Sequence, residues 1–209
     1  LTSPIQKLDG ISVRPYRDSD EKNWVNCRVQ AFLDSSYRDD VQQYREEYEN
    51  PSVRIVAVRD QDQQILGFLD VEYCSEQGPE TVEKHGVLWH LGVLPDYRRL
   101  KLAHTMWEVA KLELKAAGVS RVQAWTQDDT AANLWYLRQG WKVTKSYLNV
   151  YVRGLMGEFP LKDLLPGIDR VWKYGHIRNF NFEAPLEYRS ELEKLSYRMH
   201  EVRVYEIEL

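Results

Sequence analysis

The chain has 209 residues, 28 Lys and Arg against 32 Asp and Glu, and a formal net charge of −4, so it carries no global basic field of the kind that draws a protein to nucleic acid. The length suits one domain with an appendage. Cys27 and Cys74 lie far apart and outside any metal-ligand spacing, no run approaches the roughly 18 apolar residues of a membrane span, and the N-terminus lacks a charged-then-apolar leader, so the expectation is a cytoplasmic protein with reduced thiols, no metal and no membrane partner.

Residues 11–14 place apolar side chains at alternate positions and read as a short strand, and Asp18 with Glu21 three residues on has the form of a helix capping box. The helix that follows carries Trp24, Val25, Val29 and Phe32. Residues 37–50 are polar, with Asp39, Asp40, Glu46, Glu47 and Glu49 set among Tyr37, Tyr44 and Tyr48. They read either as a solvated helix face or as acids placed to receive an amine.

Residues 53–58 and 65–74 read as an antiparallel hairpin. On its second strand Leu66, Phe68, Asp70 and Glu72 share one face, because side chains alternate with period two. The two carboxylates stand either at an acceptor site, one of them as general base, or in water at a fraying strand end. A loop through Gly78 and Pro79 leads to a strand over residues 86–94.

The stretch from Leu91 to Trp107, LGVLPDYRRLKLAHTMW, has the order strand, basic turn, helix start. A helix N-terminus presents unpaired backbone N–H groups and a partial positive charge, and Arg98, Arg99 and Lys101 beside it add to that charge. The ligand expected there is a phosphate or pyrophosphate; the alternative is an ordinary connection with a solvated basic turn. The helix shows an apolar stripe of Leu102, Met106, Val109, Leu112 and Ala116, with His104, Glu108, Lys111 and Lys115 on another face and Gly118 as its C-terminal cap.

Residues 119–126 form the next strand, with Val122 and Ala124 on one face and Trp125 on the other. Asp128, Asp129 and Thr130 cap a short helix that Gly140 ends, and Trp141 starts another strand. Gly154, Gly157, Pro160 and Pro166 mark a boundary. Beyond it, Pro185 opens a helix with Tyr188, Leu192, Leu195 and Met199 as its stripe, and residues 201–209 alternate as a strand. The stripe packs either on its own domain or on a second copy, as a homodimer.

Two of these segments resemble the acyl-CoA-binding motifs of the GNAT N-acetyltransferase superfamily. In the first, Leu91 and Val93 match a strand reading L-x-V, and Pro95, Tyr97 and Arg98 match the turn x-P-x-Y-R. Ala103 fills the last small position of Q/R-x-x-G-x-G/A, while Lys101 stands where a glycine is expected. In the second, Ala131, Ala132, Tyr136 and Gly140 match N-x-A-A-x-x-x-Y-x-x-x-G-F; Trp141 replaces the phenylalanine and Asp129 the asparagine, with Asn133 nearby as a substitute amide. The resemblance covers residues 10–153 and is specific only in these motifs.

It implies an α/β (α+β) fold: a GNAT-like mixed, mostly antiparallel sheet with helices on both faces, over residues 1–155, plus a C-terminal helix-strand extension over 156–209. It implies acetyl-CoA as cosubstrate and a small-molecule or peptide amine as acceptor. The segment 37–50 would be a second helix walling the acceptor pocket, and the pantetheine arm would lie where the strands before and after the long helix splay apart. Leu91, Gly92 and Val93 would hold that arm through the main chain, and Arg98, Arg99, Leu100, Lys101, Leu102, Ala103 and His104 the pyrophosphate. Asp129, Asn133 and Tyr136 would complete the cofactor side.

Tyr136 would be the general acid for the departing sulfur, or else a packed helix aromatic. The base is open. The family positions two and four residues before Leu91 are Trp89 and Val87, and neither takes a proton. His90 between them faces the other way unless a bulge shifts the phase, and Glu72 or Asp70 acting through water, or no dedicated base, are the other readings. Lys101 at the glycine position and the unassigned base also leave a competing class, a non-catalytic CoA-binding or scaffold module.

Overall fold

The computed structural model describes residues 6–77, 82–153 and 179–209. The turn at Gly78 and Pro79 and the boundary at Gly154, Gly157, Pro160 and Pro166 lie outside the described residues. The chain forms two compact units, Leu1–Thr144 with Val204–Leu209, and Lys145–Arg203.

In the first unit, β1 (Gln6–Leu8), β2 (Ile11–Pro15), β3 (Ser52–Arg59), β4 (Ile65–Gln77) and β5 (Val82–Val93) pair in sequence order, each antiparallel to the last. The following strand, β6 (Val119–Thr126), pairs parallel to β5, because α2 (Leu102–Ala116) returns the chain across the sheet between them. β3 reads SVRIVAVR and is buried on both faces at Ile55, Val56 and Ala57, as a central strand flanked by two helices must be.

The helices take opposite faces. From α1 (Glu21–Phe32), Trp24 packs on Phe68 at 5.0 Å between ring centroids, whereas on the other face Met106 of α2 lies against Gly67. The fold is thus the mixed, mostly antiparallel sheet expected. The buried stripe of α2 is Leu102, Met106, Val109, Ala110 and Leu114, with Trp107 packed on Trp141 at 5.1 Å. Leu112, expected in that stripe, is 54% exposed, because it sits on the far side of the turn from Met106 and Leu114. Ala116 is exposed as well. Gly118, at φ +79°, closes the helix by donating to Lys115 O.

The capping box expected at Asp18 and Glu21 does not form. Asp18–Asp20 make a 3-10 turn, and Asp20 accepts from the Arg17 N–H at 2.8 Å and from the Arg14 guanidinium at 2.7 and 2.9 Å. Arg14 is only 6% exposed, and a buried guanidinium requires a carboxylate partner. The helix expected in residues 37–50 is also absent: residues 33–50 are turns, bends and irregular chain. Two buried arginines hold that chain in place of helical bonds, Arg28 donating to Asp40 O and Oδ2 at 2.6 Å, and Arg45 to Glu46 O.

After β6 come α3 (Thr130–Arg138) and β7 (Lys142–Arg153), whose first residues belong to the first unit. The last strand, β9 (Arg198–Glu208), returns to that unit from Val204 and lies beside β6, with Leu209 N–H donating to Ser120 O at 2.8 Å and Gln123 to Glu206 at 2.7 Å. The C-terminal strand therefore completes the sheet of its own chain.

The second unit contains β7 beyond Lys145, β8 (Asn179–Ala184) antiparallel to it, and the first half of β9. Leu148, Val150, Val152, Ala184 and Leu192 form its core. The long helix expected after Pro185 is a single turn, α4 (Arg189–Leu192). Tyr188 and Leu195 are exposed and Met199 lies in β9, because the Tyr197 N–H donates to Tyr151 O and draws the chain into the sheet.

Candidate active site

The centre of β5 is irregular. Its register with β4 passes from Asp70 opposite His90 to Val71 opposite Leu88, so Trp89 is an extra residue, a β-bulge. Parallel pairing with β6 ends at Leu88 and Ala124, and past that point the β6-side edge of β5 has no strand partner among the described residues. The main-chain groups of Leu91 and the N–H of Val93 are thereby left to bind something other than a strand, whereas Gly92 is paired with Phe68 of β4 and Val93 O accepts from Arg98 Nε at 3.3 Å. Gly92 is required here for space: a Cβ would lie 2.8 Å from Phe68 Cε1 and closer still to Cζ.

The bulge decides where His90 points. Before it, Gly86 and Leu88 face α2, Gly86 standing over Val71 and Val122. After it, His90 turns to the α1 face, edge-on to Trp24 at 5.6 Å and beside Asp70. His90 is 7% exposed, and its Nε2 lies 3.1 Å from Glu46 Oε2. That contact pulls the Glu46 carboxyl down to about 2.

Asp70 is fully buried, and burial raises its pKa despite the Arg45 guanidinium 3.9 Å away. Tyr48 Oη donates to Asp70 Oδ2 at 3.1 Å, while Asp70 Oδ1 has no hydrogen-bond partner among the described residues. Glu72, two residues along the same face, accepts from Asn50 N and Nδ2 at 3.0 Å and from Trp89 Nε1 at 2.9 Å. These bonds hold its pKa below the usual carboxylate value, against the desolvation that would raise it.

The basic turn runs through a 3-10 turn at Pro95–Tyr97 into α2. Arg99 and Lys101 both adopt left-handed backbone, φ 67° and 62°. Such a conformation costs a non-glycine residue about 1 kcal/mol. Lys101 is the N-cap of α2 and gives it no side-chain cap, so the first N–H groups of the helix, at Leu102, Ala103 and His104, stay available. Lys101, Arg99 and Leu100 are exposed. Arg98 is committed elsewhere: its guanidinium donates to Asp34 at 2.5 and 2.8 Å, to Ala31 O at 2.9 Å and to Val93 O at 3.3 Å, tying the turn to α1 and to the end of β5. His104 Nδ1 lies 2.8 Å from Gln139 Oε1.

In α3, Tyr136 is 5% exposed and stacks on Tyr205 at 4.8 Å, with burial raising its hydroxyl pKa. Asn133 donates to Gln127 O and Asp129 O at 2.7 and 2.9 Å and accepts from Tyr205 Oη at 2.8 Å, so its amide braces the start of the helix. Asp129 accepts from the Ser36 N–H at 3.1 Å.

Residues 18–141 match the model of the acetyltransferase (GNAT) family. The chain belongs to that family. No curated protein matches it. Among solved structures, a GNAT-family acetyltransferase from Streptococcus pneumoniae is similar at TM-score 0.58 and 13% identity, over 95% of this chain and 99% of that one. NAA60 from Arabidopsis thaliana, solved in complex with acetyl-CoA, is similar at TM-score 0.56 and 13% identity, over 95% and 98%. At these identities the likeness is one of fold.

The GNAT fold brings Glu72 and His90 to one face of the sheet and sets the residues of the basic turn at one helix start. Sequence reasoning missed Trp24, Arg45 and the pairing of Glu46 with His90. A signal for the last existed: Glu46 and Tyr48 are two residues apart, the spacing at which an extended chain points both to one side, and both reach this face. Among the described residues no helix is long and apolar enough to cross a membrane.

Proposed function

We propose that this GNAT protein is an N-acetyltransferase that moves an acetyl group from acetyl-CoA to a primary amine by direct attack. The observation that carries the reading is the bulge at Trp89, where β5 leaves β6 and His90 turns into a buried acidic setting. Acetyl-CoA, when bound, supplies the acetyl group as a thioester, activated toward amines. On this reading the main chain of Leu91 and Val93 takes the pantetheine, and an N–H group on that edge stabilises the oxyanion, while Gly92, paired with Phe68 of β4, keeps the strand close-packed there. The N–H groups at the start of α2, with Arg99 and Lys101, receive the pyrophosphate between Arg98 and His104. Arg98 shapes this turn through Asp34.

The His90 Nε2 and Glu46 Oε2 pair takes up the proton of the attacking amine, and the Glu46 carboxylate stabilises the imidazolium that results. Glu72 is the weaker base of the two candidates, since three hydrogen bonds stabilise its charged form. Tyr136, kept protonated by burial, holds at Oη the proton for the leaving sulfur. Asp129 and Asn133 fix the start of α3 and so the position of Tyr136.

The reading is tested by calorimetric titration with CoA together with thiol release from acetyl-CoA across a panel of amines. Saturable CoA binding and amine-dependent thiol release are expected. CoA binding without turnover of any amine would overturn it in favour of a non-catalytic module.

A further inference from the structure

The acceptor side of the site has a feature that acetyl transfer alone does not require. Leu88 and Ala124 are the last register partners of β5 and β6, and both side chains are buried. The next residues, Trp89 and Trp125, therefore turn to the opposite face at the point where the two strands separate. Both are exposed, Trp89 at 51% and Trp125 at 40%, an unusual cost for two indoles placed in adjacent strands.

Trp89 is also fixed. Its Nε1 donates to Glu72 Oε2 at 2.9 Å, and Glu72 shares its face of β4 with Asp70 and Phe68, the face on which Trp24 and His90 lie. An indole held by its edge loses little freedom when a flat group stacks on it, which is what a preformed stacking site needs. Beside it stand the Glu46 carboxylate and the fully buried Asp70, whose Oδ1 has no partner among the described residues. Flat apolar surface next to anionic charge complements a cation carried on a flat apolar body.

Resting on the acetyltransferase reading, we propose that the acceptor is a small primary amine borne on an aromatic group, its ring lying on Trp89 and Trp125 and its ammonium received at Glu46 beside His90. Aliphatic and strongly hydrophilic amines are the poor substrates of this site. Calorimetric titration of the full chain with 2-phenylethylamine and with propylamine, followed by thiol release from acetyl-CoA with each, tests the assignment.

The aromatic amine should bind about tenfold more tightly than propylamine, and Trp89→Ala or Trp125→Phe should reduce that preference by about two- to tenfold, the scale of an aromatic pair. Equal affinities, binding of neither amine, or a preference untouched by both variants would overturn the proposal; the wild-type comparison stands even if a variant fails to fold. Selective aromatic binding without thiol release would leave this site standing and remove the catalytic reading. Equal acetylation of both amines would do the reverse.

Discussion

Replacing Gly92 by Ala tests how tightly the site is built. The added Cβ would lie 2.8 Å from Phe68 Cε1 and closer to Cζ, so the ring must retreat by roughly 1 Å to reach ordinary contact. It has nowhere easy to go: Phe68 is fully buried, with Trp24 at 5.0 Å and Phe32 at 5.9 Å between ring centroids. Overpacking of this kind costs about 1–3 kcal/mol. With a urea m-value of roughly 2–3 kcal/mol/M, the unfolding midpoint should fall by about 0.3–1.5 M with the slope unchanged. Because Trp24 lies edge-on to His90, the displaced ring also disturbs the candidate base, and thiol release at a urea-free temperature well below unfolding should fall with it. A midpoint equal to that of the wild type would refute the packing argument and with it the claim that only glycine fits opposite Phe68.

Tyr136→Phe keeps the ring stacked on Tyr205 and removes only the hydroxyl, so stability and CoA affinity should hold while turnover falls by about 10²; equal turnover would remove Tyr136 from the chemistry. Tyr205→Phe removes the hydrogen bond from Tyr205 Oη to Asn133 Oδ1 and should cost about 0.5–1.5 kcal/mol in urea unfolding, whereas no loss would mean that this bond adds nothing to stability. Burial pushes the Cys27 thiol up to about 12, so at pH 8 a disulfide-exchange reagent should titrate one thiol per native chain, the half-buried Cys74, and two after denaturation. The sign follows from linkage: unfolded Cys27 ionises near about 8.5, so its contribution is intact below that pH and is lost as pH rises toward the folded value.

The hairpin of residues 53–58 and 65–74, the parallel pair around α2 and the basic turn were legible because period-two and helical spacing, with Gly and Pro punctuation, mark them directly in residues 53–58, 65–74 and 86–126. The bulge was not. Gly86, Leu88, His90, Gly92 and Leu94 are all buried at even positions, so the alternation runs unbroken even though the face changes at Trp89. In a strand buried on both sides, hydropathy carries no record of which side a residue faces. Glu46 and His90 are 44 residues apart and meet through a chain held by Arg28 and Arg45, whose burial no local pattern announces. At the C-terminus, Leu195 and Met199 keep helical spacing from Leu192, yet the sheet bond from Tyr197 to Tyr151 ends the helix after one turn. At Arg99 and Lys101 the backbone adopts the left-handed form that glycine would favour without the glycine, which sequence alone reads as a departure.

Direct transfer to an amine is tested most closely by following the acetyl group itself. The full chain is incubated with isotopically labelled acetyl-CoA and 2-phenylethylamine, and the amine is analysed by mass spectrometry while free thiol is counted. The account predicts one labelled acetyl group on the amine nitrogen for each thiol released, and loss of both signals together in His90→Ala. Thiol release with the label recovered as acetate, or label on the amine at an undiminished rate in His90→Ala, would contradict it.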